Sequence, residues 1–254
     1  MTRLRQIWAW TRFTLSEYVR SGRIFAELLA FVVFAYLFLR RPNIAAIMTA
    51  TQFFSMTITF VLAQTIYTMS MLMSMAQRGH NYVVLARSLG RRGYLFGLFL
   101  VAVIISALNF LLCSLTVTII NKPAVWTLVI WLAGALPLIL DVMLVAGLVM
   151  LLSSLVLTQG WRLLILGIVA LASLGSSELF TTSLNPDSTL GKLLGAVRTI
   201  VGIPLTPLLA GFELAARREY SQQAIAILLG QFVLLVAVLS FAFFAFDRRD
   251  VVLQ

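Results

Sequence analysis

The chain has 254 residues, 61% of them hydrophobic, and a mean hydropathy of +1.01. Runs of about twenty apolar residues are rare in soluble domains and are what a bilayer-spanning helix needs, so the composition excludes an ordinary soluble domain. A net charge of +10 does not point to nucleic acid, because the basic residues flank apolar runs and form no soluble basic face.

The runs are too long and too uniformly apolar for barrel strands, and backbone groups in lipid must be satisfied within the segment. The expected fold is an all-α integral membrane protein. It is a six-helix transmembrane bundle with an N-terminal interfacial amphipathic helix and an outer re-entrant helical hairpin before the last span. Residues 1–23 form the interfacial helix, and 24–254 the six-span domain, with a cytoplasmic loop at 77–93 and the hairpin at 181–219.

Wound at about 100° per residue, Leu4, Ile7, Trp8, Leu15, Tyr18 and Val19 gather on one side of the first segment, and Arg5, Arg12, Arg20 and Arg23 on another. That separation predicts a helix lying in the membrane interface, with its arginines towards anionic headgroups and Trp8 at the boundary.

Six spans follow. The first, Ile24 to Leu39, is the shortest, about 24 Å at about 1.5 Å per residue. It ends in Arg40 and Arg41 with no small-residue cleavage site, so a retained span is expected and not a cleavable signal. The others are Ile44 to about Ala76, Tyr94 to Ile120, Ala124 to Leu157, Arg162 to Phe180, and Tyr220 to Phe246. Between the last two, Leu190, Leu193, Leu194, Val197, Ile200 and Val201 repeat at helical spacing. Pro204 and Pro207 then break the chain before Leu208, Leu209 and Phe212. This pattern predicts the outer hairpin.

Charge orients the bundle. With both termini cytoplasmic, the inner segments hold Arg3, Arg5, Arg12, Arg20, Arg23, Arg78, Arg87, Arg91, Arg92, Arg162, Arg248 and Arg249. The short outer loops hold only Arg40, Arg41 and Lys122, and the longer outer segment holds Lys192, Arg198, Arg217 and Arg218.

Enzyme and metal motifs are missing from the sequence. His80 is the one histidine and Cys113 the one cysteine, so neither a disulfide framework nor a cysteine–histidine metal site can form within the chain. "TLGKLL" around Gly191 and Lys192 lacks the upstream glycine and the Ser/Thr of a phosphate loop, so no ATP site is expected. Three acids fall in or beside spans. Asp141 is the deepest, next to Pro137, while Glu27 and Glu178 lie near span ends, within reach of headgroups.

The stretch "RGHNYVVLARSLGRRGYLFG" resembles the first cytoplasmic loop of ABC exporter permeases of the second type. Arg78 and Gly79 match the start of that loop, Val83, Val84 and Leu85 its apolar run, Arg91 its arginine and Gly97 its final glycine. Gln77, Ser88, Gly90 and Leu98 depart from the pattern. The layout is similar across the chain, including the short basic tail "FDRRDVVLQ".

The resemblance implies that this loop is a coupling helix docking on a separate ABC ATPase subunit, through Arg78, Gly79, Tyr82, Leu85, Ser88, Leu89 and Arg91. It implies a second permease copy or a similar permease as partner, and the bacterial plasma (inner) membrane as location. ATP and Mg would sit on the ATPase, with no cofactor on this chain. Asp141, Glu27 and Glu178 are the acids that could line a translocation path. Two rival expectations are an ATP-independent secondary transporter or channel built on Asp141, and a membrane scaffold or assembly factor.

Overall fold

The computed structural model describes residues 3–40, 48–76, 90–156, 208, 210–218, 220 and 222–248. Every regular element among them is helical: α1 Arg3–Arg20, α2 Arg23–Phe34, α3 Ala50–Ala76, α4 Gly90–Ile120, α5 Leu128–Leu151 and α6 Gln222–Arg248. A π-turn, Ala35–Leu39, prolongs α2, and residues 210–217 form a short helix ahead of α6. Helices α3, α4, α5 and α6 are each long and apolar enough to cross a membrane, the make-up of a multi-pass membrane protein.

Local chemistry sets the boundaries. Thr49 and Gln52 form a reciprocal capping box, Gln52 N–H donating to Thr49 Oγ1 over 3.2 Å and Thr49 N–H to Gln52 Oε1 over 3.1 Å. The second span is thus helical from Ala50, six residues after the expected Ile44. Thr127 caps α5 with a single bond, its Oγ1 accepting from Ile130 N–H. Helix α4 begins at Gly90, so Arg91 and Arg92 belong to its first turn and not to a loop. The fifth span, Arg162 to Phe180, and most of the outer hairpin lie outside the described residues.

The helical segment at the first span runs from Arg23 to Leu39, against the expected Ile24 to Leu39. Helix α2 has 12 residues and its π-turn 5, short against a hydrocarbon core of about 30 Å. It is bent by 71° from α1, and the two count together as one further crossing at most. Gly22 makes the elbow at φ +77°, a conformation that favours glycine.

Contacts fix the helix directions. Tyr94 meets Ala76, and Thr65 meets Ser106, so α3 and α4 are antiparallel. Trp131 meets Ser114, so α4 and α5 are antiparallel. Tyr220 meets Ala133, Gln231 meets Asp141, and Val238 lies beside Gly147, so α5 and α6 are parallel. One end of the bundle, the basic end, gathers Arg91, Arg92 and Arg248 with α1. The opposite end gathers Thr51, Trp126 and Arg218. Each end has its own apolar core, one around Trp10, Leu72, Leu98, Leu144 and Phe246, the other around Phe53, Phe54, Phe110 and Leu138.

Candidate functional site

Polar side chains inside an apolar bundle are costly unless they are partnered, so their placement is the first guide to function. Two buried sets stand out, and α1 adds a surface.

The first set lies in α5. Pro137 has no N–H to give to Ala133, four residues earlier, and its ring crowds that carbonyl. The Tyr220 hydroxyl fills the gap, donating to the Ala133 oxygen over 2.7 Å. One turn below, Asp141 is fully buried. Its Oδ1 accepts from Gln231 Nε2 on α6 over 2.5 Å, while Oδ2 has no partner among the described residues. The sequence places Asp141 deep in its span, and the side chain has 0% exposure. Near the opposite end, Arg218 donates to Thr51 Oγ1 over 2.8 Å and lies 5.4 Å from the Phe54 ring centre. Burial lowers the pKa of this guanidinium from its usual value, though an arginine keeps its charge in proteins.

The second set surrounds Glu27. Instead of meeting headgroups, Glu27 is only 2% exposed. Its Oε1 accepts from the Tyr18 hydroxyl over 2.6 Å and from Thr68 Oγ1 over 2.5 Å. Its backbone carbonyl accepts from Gln64 Nε2, and Gln64 Oε1 in turn accepts from Asn109 Nδ2. Arg23 Nη1 donates to the Met71 carbonyl over 3.0 Å. These bonds tie α1, α2, α3 and α4 together at the elbow. A bent pair of helices has orphaned polar groups at the bend, and a buried network that satisfies them holds one geometry.

Helix α1 supplies the surface. Its expected apolar side divides in the structure. Tyr18 is buried and Ile7 and Leu15 are half-buried, while Leu4, Trp8 and Val19 are exposed. The exposed strip runs beside Arg5, Arg12 and Arg20, which are exposed too. Leu4, Arg5, Trp8, Arg12, Ser16 and Arg20 line an open groove of about 750 Å³. The docking residue is Trp10, which stacks on Tyr94 at 5.0 Å between ring centres. It lies so close to Gly97 that a Cβ there would overlap its ring. The sequence signal for this contact is a glycine in an otherwise bulky run of α4 facing a tryptophan-rich helix.

Arg91 donates from Nη1 to the Asp247 carbonyl over 2.9 Å, and Arg92 Nε lies 2.6 Å from Asp247 Oδ2. Both therefore tie the start of α4 to the end of α6. Arg78, Gly79, Tyr82, Leu85, Ser88, Leu89 and Glu178 lie outside the described residues. Asp141 and Glu27 are not brought together and belong to separate networks. Sequence reasoning missed Gln231, Thr68, Gln64, Asn109 and Trp10, and it placed Tyr18 only on the apolar side of the first helix and Tyr220 only at the start of the last span.

The chain matches no family model, no curated protein and no solved structure.

Proposed function

We propose that the chain is the membrane subunit of an ATP-driven exporter, working as a dimer and coupled to a separate ATPase through the segment 77–93. The observation that carries this reading is the seat of α1. Trp10 packs over Gly97 and against Tyr94, at the base of the helix that follows the loop resembling a coupling helix. A push on the loop would reach α4 directly and α1 through Trp10, and the Glu27 network would pass it to α2 and α3. The exposed strip of α1, with Trp8, Arg5, Arg12 and Arg20, would rest on lipid headgroups and give that motion a fixed surface to act against.

Helix directions support the six-span layout. Helices α5 and α6 are parallel, an arrangement that fits a further span between them such as the one expected from Arg162 to Phe180. The charge bias supports placing the basic end, and with it both termini, in the cytoplasm.

Purification from native membranes in mild detergent tests the reading. An ATPase subunit co-eluting at matched stoichiometry is expected. Elution of the chain with no ATPase, from membranes that retain nucleotide-dependent transport, would contradict it.

A further inference from the structure

Asp141 on α5 and Gln231 on α6 meet between two parallel helices, and both have 0% exposure. Gln231 Nε2 donates to Asp141 Oδ1 over 2.5 Å. The second oxygen of each group, Asp141 Oδ2 and Gln231 Oε1, is buried without a hydrogen-bond partner among the described residues. Gly211 closes the site, since a Cβ there would overlap Gln231 Nε2 and come within 2.8 Å of Asp141 Oδ1. The backbone of residues 210–217 thus covers the pair where any larger residue would displace it.

Two buried acceptors left over on one bonded pair amount to a specific deficit: among the described residues, the site lacks one donor. An ionised carboxylate only accepts, and an amide oxygen only accepts. A protonated carboxyl gives one O–H donor and keeps an acceptor. One proton on Oδ2 therefore satisfies both orphaned atoms at once, and it also removes a charge that the apolar surroundings disfavour.

We propose that Asp141 is a proton-binding site, held as the neutral acid in a two-bond pair with Gln231. Oδ1 accepts from Nε2, and Oδ2–H donates to Oε1. The bound proton joins α5 to α6 beneath Gly211. Its release to water leaves a carboxylate facing an amide oxygen, which repels it, so opening of the α5–α6 contact and loss of the proton accompany each other.

Among the described residues, no charged group bonds to the carboxyl. The titratable and charged groups on the elements around it are Tyr67 on α3, Arg91, Arg92, Tyr94 and Cys113 on α4, Glu213, Arg217 and Arg218 around the short helix, and Asp247 and Arg248 on α6. None of these bonds to Asp141, whose described partner is Gln231.

Infrared difference spectroscopy of the full chain in lipid nanodiscs at neutral pH tests the proposal. Wild type minus Asp141→Asn should show the carbonyl band of a protonated carboxylic acid, moved by exchange into heavy water. Absence of that difference band would overturn the proposal. The amide introduced by Asp141→Asn offers an N–H where the acid offers its O–H, so this variant should melt with the wild type, and a large loss of thermal stability would count against the acid–amide pair. Should Asp141→Asn fail to assemble, Gln231→Leu provides an independent reading. The protonated-carboxyl band should then shift to higher frequency as its hydrogen bonds are lost. A band of unchanged position would overturn the assignment.

Discussion

The Tyr220 hydroxyl donates to the Ala133 carbonyl, 2.7 Å away, and that carbonyl is the one Pro137 leaves without a helical donor. A proline inside a spanning helix is tolerated when a neighbour satisfies the freed oxygen. The bond therefore has a value that depends on Pro137. Tyr220→Phe should cost about 0.5–1.5 kcal/mol in the wild-type background. In Pro137→Ala, where residue 137 regains its N–H, the same change should cost much less. A double-mutant cycle by unfolding in detergent reads the coupling, and equal costs in the two backgrounds would refute it.

Gly97 is a steric requirement of the α1 contact. A valine there meets the Trp10 ring, and overpacking of this kind costs about 1–3 kcal/mol. Gly97→Val should lower the melting temperature and speed proteolysis within α1. In a Trp10→Ala background the same substitution should do little. Persisting damage without Trp10 would mean that Gly97 serves another contact.

The Glu27 network makes an ordering testable. Glu27→Ala leaves the Tyr18 and Thr68 hydroxyls without their acceptor, and a buried donor left unsatisfied costs about 1–3 kcal/mol. Glu27→Gln keeps an amide oxygen in the same place and should be the milder change. Thermal unfolding of both variants checks this, and equal losses would show that the elbow does not depend on these bonds.

Arg92 and Asp247 form an exposed pair, their side chains 72% and 30% exposed. Such pairs contribute about 0–1 kcal/mol and are screened by salt. Arg92→Gln should narrow stability slightly at low ionic strength and leave it unchanged at high ionic strength. A loss that persists in high salt would assign Arg92 a packing role.

The long helices are legible in the sequence because a bilayer imposes length and polarity on them. Helices α3 and α5 fall inside their apolar runs, α4 starts at Gly90 ahead of the expected Tyr94, and α6 ends at Arg248 beyond the expected Phe246. Two of the offsets have local causes in the Thr49–Gln52 box and the Thr127 cap. Asp141 stands out in its run for the same reason. Its partner Gln231 does not, because 90 residues separate them and only the parallel packing of α5 on α6 brings them together. Glu27 misleads for a related reason. Its position near a span end suggests headgroups, yet the bend at Gly22 folds Tyr18 back over it, and no periodicity in the sequence marks that bend. Trp10 is hidden behind the amphipathic pattern, in which Trp8 is the more visible residue, and it is Trp10 that docks the helix.

The central claim is that residues 77–93 transmit work from an ATPase. Wound as a helix, Tyr82, Leu85 and Leu89 share one side at spacings of three and four. Loss of a central apolar anchor at an interface often costs about 2 kcal/mol or more. The most direct measurement is ATPase co-purification from membranes holding matched levels of wild-type and Leu85→Asp chains. Loss of the ATPase from Leu85→Asp, with the variant still membrane-inserted, is the predicted result. Full retention of the ATPase would contradict the account and leave the segment as a basic anchor at the headgroups.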